Sequence, residues 1–251
     1  MKEIIETTDL INANIKNLTS LWETVGISFD SYSKTSDFEY SEIKDSEWPN
    51  RLWLHQNITQ DTVRLIKEKL AATTSNITIP IWNIYNKNED TILEHNGFNI
   101  KFEQVGMSLK LNKPFDITGD VKIQLVTNST EAKLWSELFI KSFGYKTSSE
   151  TIMKTLNEIS YYIAYHDGLP VGTAISHKTN NVVGIHSVGI PPEMRRKGYA
   201  EQIMRLLINM AIEDRNEYMT LQASSMGKGL YLKLGFEEQF VIKNYALQQC
   251  V

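Results

Sequence analysis

Three basic residues and a glycine form the part of this sequence that is best suited to chemistry. Arg195, Arg196 and Lys197 lead into Gly198, and residues 191–194 separate them from the apolar run from Val182 to Ile190. The next residues place apolar side chains at helical spacing: Ala200, Ile203, Met204, Leu207, Ile208 and Ala211. A strand, a basic glycine turn and a helix in this order bring backbone N–H groups and the positive end of a helix dipole together. We expect phosphate to bind there.

The residue types in this turn suit an anion for two physical reasons. Glycine has no Cβ, so the backbone at Gly198 can approach a phosphate closely. Cations at a helix N-terminus oppose the helix dipole, and three of them in one turn indicate that an anion belongs there. The alternative is a solvated basic turn without a ligand.

The spacing Arg195-x-x-Gly198-x-Ala200 resembles motif A of the GCN5-related N-acetyltransferases (GNATs), whose phosphate loop reads Gln/Arg-x-x-Gly-x-Gly/Ala. In that family the loop amides bind the pyrophosphate of acetyl-coenzyme A, and the preceding strand pairs with the pantetheine arm. The resemblance implies that the following residues bind acetyl-coenzyme A: Val188, Gly189, Ile190, Arg195, Arg196, Lys197, Gly198, Tyr199, Ala200 and Glu201.

A second resemblance lies in residues 230–236, which read Leu-Tyr-Leu-Lys-Leu-Gly-Phe and look like the end of motif B of the same family. In relatives the tyrosine of this motif often donates a proton to the departing thiolate of coenzyme A, and Tyr231 matches it. A tyrosine that only packs in the core is the alternative. Ser224 stands where many relatives carry asparagine, and the resemblance places it among the coenzyme-binding residues.

The implied reaction is attack of an amine on a thioester. A free alkyl amine has a pKa of ~10.4, so it must lose a proton before it attacks. The resemblance implies that a backbone N–H near Val188 stabilises the oxyanion. His186 lies two residues earlier, on the same face of the strand, and a histidine at this position is implicated in proton removal in arylalkylamine acetyltransferases. A hydrogen-bonded core histidine is the alternative, which leaves Glu193 or water as the base.

The sequence gives no support to metal, serine-nucleophile or P-loop chemistry. Neither GxSxG nor GxxxxGK[ST] occurs, and the single cysteine is Cys250. The histidines show no HExxH or paired spacing, so we expect no metal site; they are His55, His95, His166, His177 and His186.

The composition is that of a folded protein, with 251 residues, 41% hydrophobic and 22% charged. A net charge of -4 argues against nucleic acid or an anionic membrane as the main partner. The acidic start of the chain is unlike a signal peptide, and no apolar run approaches the ~20 residues that span a bilayer. We expect a cytoplasmic protein, and the oligomeric state stays open.

An internal repeat is indicated by the Gly-Phe pairs at 97–98 and 235–236, which lie 138 residues apart. The same offset relates the helix predicted from Thr59, its expected N-cap, to the motif A helix, and strand 79–84 to strand 217–222. Residues 57–62 then correspond to the phosphate loop, but they hold no glycine and no basic residue, and Asp61 would repel phosphate.

Local patterns predict helices and strands throughout the chain. The helices are expected at 9–25, 59–72, 88–95, 131–143, 151–159, 200–214 and 226–234. Strands are expected at 51–55, 77–84, 161–166, 171–177, 182–190 and 218–223, and hairpins at 98–111 and 236–247. The polar stretch 28–46 is expected to be a loop with one strand at most.

We therefore predict an α/β protein of GNAT fold, with a mixed central sheet, flanking helices and two tandem GNAT-like halves. Residues 1–115 would form a degenerate half without a coenzyme site, and residues 121–251 the acetyl-coenzyme A-binding catalytic half. The expected activity is N-acetyl transfer to an amine of a small molecule or peptide; the alternative is a non-catalytic acetyl-coenzyme A sensor or scaffold. The first half either lines the acceptor pocket or only packs. Candidate pocket residues are Trp48, Trp53, Trp82 and Tyr85.

Overall fold

The computed structural model of the protein describes residues 7–55, 57–84 and 91–248. Tyr85, Cys250 and the predicted helical residues 88–90 lie outside these ranges. The helices are α1 (Thr7–Ile27), α2 (Gln60–Ala71), α3 (Thr91–His95), α4 (Ser129–Phe143), α5 (Ser149–Thr155), α6 (Tyr199–Glu213) and α7 (Lys228–Lys233). A short 3₁₀ turn, Pro192–Met194, precedes α6.

Eleven strands in the described residues form two sheets. The strands are β1 (Tyr32–Lys34), β2 (Phe38–Ser41), β3 (Arg51–Leu54), β4 (Ile79–Asn83), β5 (Phe98–Lys110), β6 (Lys122–Leu125), β7 (Ser160–His166), β8 (Leu169–Thr179), β9 (Val182–Gly189), β10 (Tyr218–Ala223) and β11 (Glu237–Leu247). The small sheet has the order β1-β2-β3, and the large one β4-β11-β5-β10-β9-β8-β7-β6. The large sheet is antiparallel except for β9 and β10, which run parallel. The predicted α/β class with a mixed sheet is confirmed.

Local sequence signals explain several element boundaries. Thr59 caps α2 as predicted, since its side-chain oxygen accepts a hydrogen bond from the N–H of Thr62 at 3.1 Å. Asp167 and Gly168 both have positive φ, as a tight hairpin turn between β7 and β8 requires. Gly144 ends α4 in the left-handed conformation.

Three local predictions differ from the structure. The two predicted hairpins are wrong, because 98–110 and 237–247 each form one long strand. Each of these strands finds its neighbours far away in the chain, so neither folds back on itself. The polar stretch 28–46 contains two strands, β1 and β2, and the short strand β6 was not predicted.

Strands β5 and β11 pair with each other along nearly their full lengths, as the second and third strands from one edge of the large sheet. Phe98 lies opposite Leu247 at one end, and Ser108 lies opposite Glu237 at the other. β5 also pairs with β10, while β11 also pairs with β4. Each long strand therefore lies between two strands of the other part of the chain.

The offset of 138 residues relates four consecutive pairs of observed elements. Shifted by this number, α2 falls on α6, β4 on β10, α3 on α7 and β5 on β11, each to within a few residues. The order helix, strand, helix, strand thus occurs twice, and the two copies meet at the β5–β11 pair.

The largest core cluster lies between α6 and the sheet. Ile203, Met204, Leu207 and Ile208 on α6 are at most 3% exposed, as the predicted apolar face requires. Burial of such a face is what holds a helix on a sheet, since each aliphatic side chain contributes about 1.5–3 kcal/mol. This packing fixes the N-terminus of α6 beside the end of β9. None of the helices in the described part of the chain has the length and hydropathy needed to cross a membrane.

Candidate active site

The parallel strands β9 and β10 separate along their length and open a wedge in the sheet. They pair only at Val182–Gly184 with Tyr218–Thr220. β9 then continues to Gly189 and β10 to Ala223 without pairing to each other. Backbone groups that would join a continuous sheet are thus available to a ligand between the strands.

A bulge in β9 lies at this wedge. β8 pairs Thr173 with Gly189 and Ile175 with His186, so Ser187 and Val188 have no partner of their own on β8. Ser187 has a φ of 52°, which is uncommon for a residue with a side chain. Both residues line the cavity described below. The bulge thus presents the backbone around Val188 to the wedge.

The loop between β9 and α6 is held by the side chain of Arg195. Its Nε donates to the carbonyl oxygen of Ile190, and its Nη2 donates to that of Ser142, both at 3.0 Å. The guanidinium group therefore binds the loop to the end of α4. Arg196 and Lys197 are exposed and leave their charge at the surface of the loop.

The N-terminus of α6 is open. Gly198 stands at the N-cap with a φ of 79°, and no side chain there accepts a hydrogen bond from the helix. A Cβ on Gly198 would meet only the Gln202 side chain, at 3.9 Å, so the space beside it is free. Arg196 also has positive φ, and N–H groups around such left-handed residues form concave anion sites. The loop has the geometry of a phosphate site.

At three other positions predicted to bind the coenzyme, the side chain, or the place where a Cβ would be, packs against other parts of the protein. A Cβ on Gly189 would lie 2.6 Å from the Phe143 ring, so this glycine packs against α4. Tyr199 is 8% exposed and belongs to the core. Glu201 forms ion pairs with Arg205 at 2.8 Å and Lys233 at 2.7 Å, and the bond to Lys233 lowers the pKa of its carboxyl group. At these positions only backbone groups are left for a ligand.

A cavity of about 160 Å³ occupies the wedge. It brings together four of the predicted site residues, His186, Val188, Ser224 and Tyr231. Glu193 is exposed in the 3₁₀ turn and is not part of the cavity wall. The remaining lining residues are Leu18, Leu21, Trp22, Trp48, Arg51, Phe102, Gln104, Phe143, Tyr145, Ile185, Ser187, Leu221, Gln222, Ile242 and Asn244.

Tyr231 enters the cavity from α7. Burial raises the pKa of its hydroxyl group to about 12, so the group keeps its proton at neutral pH. Its ring packs edge-on against Phe236 with the centroids 5.8 Å apart. A fixed ring with a protonated hydroxyl group is what a general acid requires.

His186 is 8% exposed and both of its ring nitrogens face amide oxygens. Nδ1 lies 3.1 Å from Oε1 of Gln222 on β10, and Nε2 lies 3.1 Å from Oδ1 of Asn17 on α1. Burial lowers the pKa of the imidazole to about 3, so the ring is neutral at pH 7. A neutral ring has one N–H, so one of the two contacts must be to an unprotonated nitrogen.

Backbone carbonyls hold the two amides in these orientations. Asn17 donates through Nδ2 to the carbonyl oxygen of His177 at 2.9 Å. Gln222 donates to Asn14 at 2.8 Å, and Asn14 donates to the carbonyl oxygen of Met107 at 3.1 Å. His186 thus connects α1 to both strands of the wedge. One of its contacts must break before the ring can take a proton from a ligand.

The first 115 residues supply much of the cavity wall, including its one arginine. Trp48, a predicted pocket residue, is part of the wall, whereas Trp53 and Trp82 pack around Trp22 at centroid distances of 5.5 and 6.1 Å. Sequence reasoning missed Trp22 and Arg51. Trp22 lies on the apolar face of a helix and Arg51 at the start of a strand, and neither place has a local sign of function.

The described residues contain no group of three or more His, Cys, Asp or Glu side chains that could hold a metal ion.

Comparisons with known proteins agree with this geometry. Residues 131–236 match the model of the acetyltransferase (GNAT) family. A solved GCN5-related N-acetyltransferase from Kribbella flavida has a TM-score of 0.70 at 14% identity, over 93% of this chain and 96% of that one. A second, from Sphaerobacter thermophilus, has a TM-score of 0.66 at 14% identity, over 91% and 86%. No curated protein matches in sequence. The predicted GNAT fold, with a mixed central sheet and flanking helices, is confirmed. The division into two tandem halves stays a prediction.

Proposed function

Since residues 131–236 match the model of the acetyltransferase (GNAT) family, we propose that the protein transfers an acetyl group from acetyl-coenzyme A to an amine. The observation that supports this most directly is the wedge between β9 and β10, because β9 leads on to the open N-terminus of α6 and Tyr231 lines the cavity in the wedge. A long ligand with a diphosphate at one end and a thioester at the other fits such a path.

The residues present fit each part of that co-substrate. The uncapped N–H groups at Gly198 and the exposed Arg196 and Lys197 suit a pyrophosphate. The unpaired edges of β9 and β10 suit an extended arm with amide groups, and Ser224 lies on this wall. Acetyl-coenzyme A supplies the thioester carbonyl that the amine attacks.

We assign proton transfer and charge stabilisation to separate groups. Tyr231 would hold the proton that the leaving thiolate needs, and the backbone N–H in the bulge near Val188 would bind the oxyanion. The catalytic role predicted for His186 stays a prediction, because both of its ring nitrogens face amide oxygens of the protein. Water in the cavity is the direct acceptor of the amine proton in this scheme.

We infer further that the chain consists of two GNAT-like halves, 1–115 and 121–251, and that only the second binds the coenzyme. In the first half, Thr59 caps the helix equivalent to α6, so its N-terminus has no open place for phosphate. The residue 138 positions before Tyr231 is Leu93, which is fully buried in the core. The first half thus lacks both groups that the reaction needs.

The test is thiol release from acetyl-coenzyme A with a panel of alkyl, aryl and amino acid amines. We expect at least one amine to raise the rate well above hydrolysis, with one N-acetyl product formed per thiol released. Mass spectrometry of the product identifies the acetylated nitrogen.

The alternative, a sensor or scaffold, predicts a different outcome in the same assay. Acetyl-coenzyme A would then raise the melting temperature, but no amine in the panel would speed thiol release. Failure of acetyl-coenzyme A to bind at all would contradict both proposals.

A further inference from the structure

Arg51 brings a buried positive charge into the cavity. It is the first residue of β3 and lies in the cavity wall among Trp22, Trp48 and Tyr145. The guanidinium carbon lies 5.5 Å from the centroid of the Trp22 ring, which fixes one face of the group. Arginine keeps its charge even where burial lowers its pKa, as it does here.

Among the described residues, the guanidinium group of Arg51 makes one hydrogen bond. Nη1 donates to the carbonyl oxygen of the neighbouring Asn50 at 3.0 Å, and Nε is buried without a partner. Within the described ranges no carboxylate lies within ion-pair distance of Arg51. A buried arginine is ordinarily paired with an anion, since desolvation of an unpaired charge is costly.

The backbone around Arg51 is held firmly, so this placement is fixed. Asn50 is 1% exposed; its Oδ1 accepts from the N–H of Ile43 at 2.7 Å and its Nδ2 donates to the carbonyl oxygen of Ser46 at 2.8 Å. Leu52, on the other side, donates to the carbonyl oxygen of Thr78 at 3.1 Å. A rigid backbone on both sides pre-organises the guanidinium group for a ligand.

A second cation, Lys101, lies close enough to Arg51 to respond to its charge. Burial and the charge of Arg51 lower the pKa of Lys101, while the carboxylate of Glu47 opposes this shift. Among the described residues the cavity wall includes no Asp or Glu, and its other polar members are neutral amides, hydroxyl groups and the neutral His186. An anion in the cavity would therefore meet attraction from Arg51 and no opposing carboxylate from the described part of the wall.

An anion bound at Arg51 would be distinct from a diphosphate bound at the loop between β9 and α6. The loop residues 195–200 are not part of the cavity wall, whereas Arg51 shares that wall with Tyr231 and Val188, where the reaction would occur. Most of the other lining residues are aliphatic or aromatic, although polar atoms form more than half of the surface that the wall exposes to the cavity. We propose that Arg51 binds the carboxylate of the acetyl acceptor, and that the acceptor is an amine with a carboxylate and an apolar body, such as a hydrophobic amino acid.

The acetylation of this acceptor rests on the proposed function, whereas the binding of its carboxylate by Arg51 does not. The test uses pairs of amines that differ only by the carboxylate: L-phenylalanine with phenethylamine, and L-leucine with isoamylamine. Acetylation is measured as kcat/KM, and acceptor binding is measured separately by calorimetry on the full chain saturated with coenzyme A.

In the wild type we expect the carboxylate member of a pair to be preferred by on the order of 10- to 100-fold, the range of a hydrogen bond to a charged group. Arg51→Gln should remove this preference and leave phenethylamine and isoamylamine nearly unaffected. Arg51→Lys should restore part of it, since it keeps the charge but not the planar fork.

Arg64→Gln is the matched control, because Arg64 is an exposed arginine of α2 that pairs with Glu68 at 2.8 Å, away from the cavity wall. It should leave the preference unchanged. A wild type without preference in binding, or equal losses for both members in Arg51→Gln, would overturn the inference. Arg51-dependent binding of the amino acids without turnover would support the inference and contradict the proposed function.

Discussion

Tyr231 and Leu93 occupy equivalent places in α7 and α3, and only Tyr231 can hold a proton. The sequence was sufficient to propose Tyr231 as a candidate acid, because its motif lies within seven consecutive residues. It was not sufficient to propose Arg51, whose significance depends on its lack of a carboxylate partner among the described residues. Whether a side chain is buried, and which groups it pairs with, depends on the whole fold, so neither can be predicted from the local sequence.

Tyr231→Phe tests the proposed acid at this scale. The substitution removes one hydroxyl group and keeps the ring packed on Phe236, so the fold should be unchanged. We expect kcat for acetyl transfer to fall by about 10²-fold, in the range of general acid catalysis, while the affinity for coenzyme A stays the same. Tyr165→Phe, in a strand away from the cavity wall, is the control and should keep full activity.

His186→Gln tests the effect of pH on stability. The pKa of His186 is about 3 in the folded protein and about 6.5 in the unfolded chain. Between these values the unfolded chain binds a proton that the folded protein does not, so stability falls as the pH falls. For this group the loss between pH 7 and pH 5 is about 2 kcal/mol.

Urea unfolding at the two pH values measures this difference. The variant should lose less stability on acidification than the wild type, although burial lowers the pKa of His177 as well and leaves some acid sensitivity. An unchanged pH dependence would contradict a neutral His186. In the activity assay, loss of the acidic limb of the kcat/KM profile in this variant would identify His186 as the base after all.

The N-termini of α2 and α6 show which features of a helix can be predicted from its own sequence. Thr59 was predicted as a cap and is one, and Gly198 was predicted to leave a helix open and does so. Both signals lie within one turn of the chain. The bulge at Ser187 and Val188 was not predicted, because it depends on the register of β9 against β8.

Gly198→Ala tests the phosphate loop. The left-handed conformation costs a residue with a Cβ roughly 1–2 kcal/mol, and the methyl group enters the space beside the open N–H groups. We expect the affinity for coenzyme A to fall at least tenfold, measured by calorimetry. Gly168→Ala is matched, with a φ of 75° and no atom near its Cβ position, but it lies in the β7–β8 turn. It should lose similar stability and keep its affinity for the coenzyme.

Thr59→Ala tests the N-terminus of α2, which corresponds in the first half to the phosphate loop at the N-terminus of α6. Loss of the cap should destabilise the protein by about 1 kcal/mol, measured by urea unfolding. Affinity for coenzyme A should be the same as in the wild type, because α2 takes no part in the proposed site. A parallel loss of coenzyme affinity would contradict a first half without a coenzyme site.

At the scale of the whole molecule, the local patterns predicted most helices and strands in the right order, missed short strands in 28–46 and at β6, and were wrong on the pairing of β5 and β11. The 138-residue offset relates helices and strands correctly, since each element has its own local pattern. The two predicted hairpins were wrong because β5 and β11 pair with each other across more than a hundred residues. No local sequence pattern predicts which distant strand will pair with a given strand.

Separation of the halves tests this arrangement. Residues 121–251 without 1–120 would lose β5, which lies between β10 and β11, and would leave both of those strands with an unpaired edge. We expect the isolated fragment to aggregate or to show no cooperative melting by circular dichroism. Co-expression of the two fragments should restore a melting transition. A stable, coenzyme-binding 121–251 fragment would contradict the shared sheet.

The pairing of β5 with β11 also determines when the large sheet can be completed during synthesis of the chain. Ribosomes add about 5–20 residues per second, and the 126 residues between the end of β5 and the start of β11 therefore take roughly 6 to 25 seconds to make. During that interval a nascent chain carries the exposed backbone of a thirteen-residue strand, a natural target for chaperones. The N-terminal part can complete its sheet only after the last strand has been translated and released from the exit tunnel.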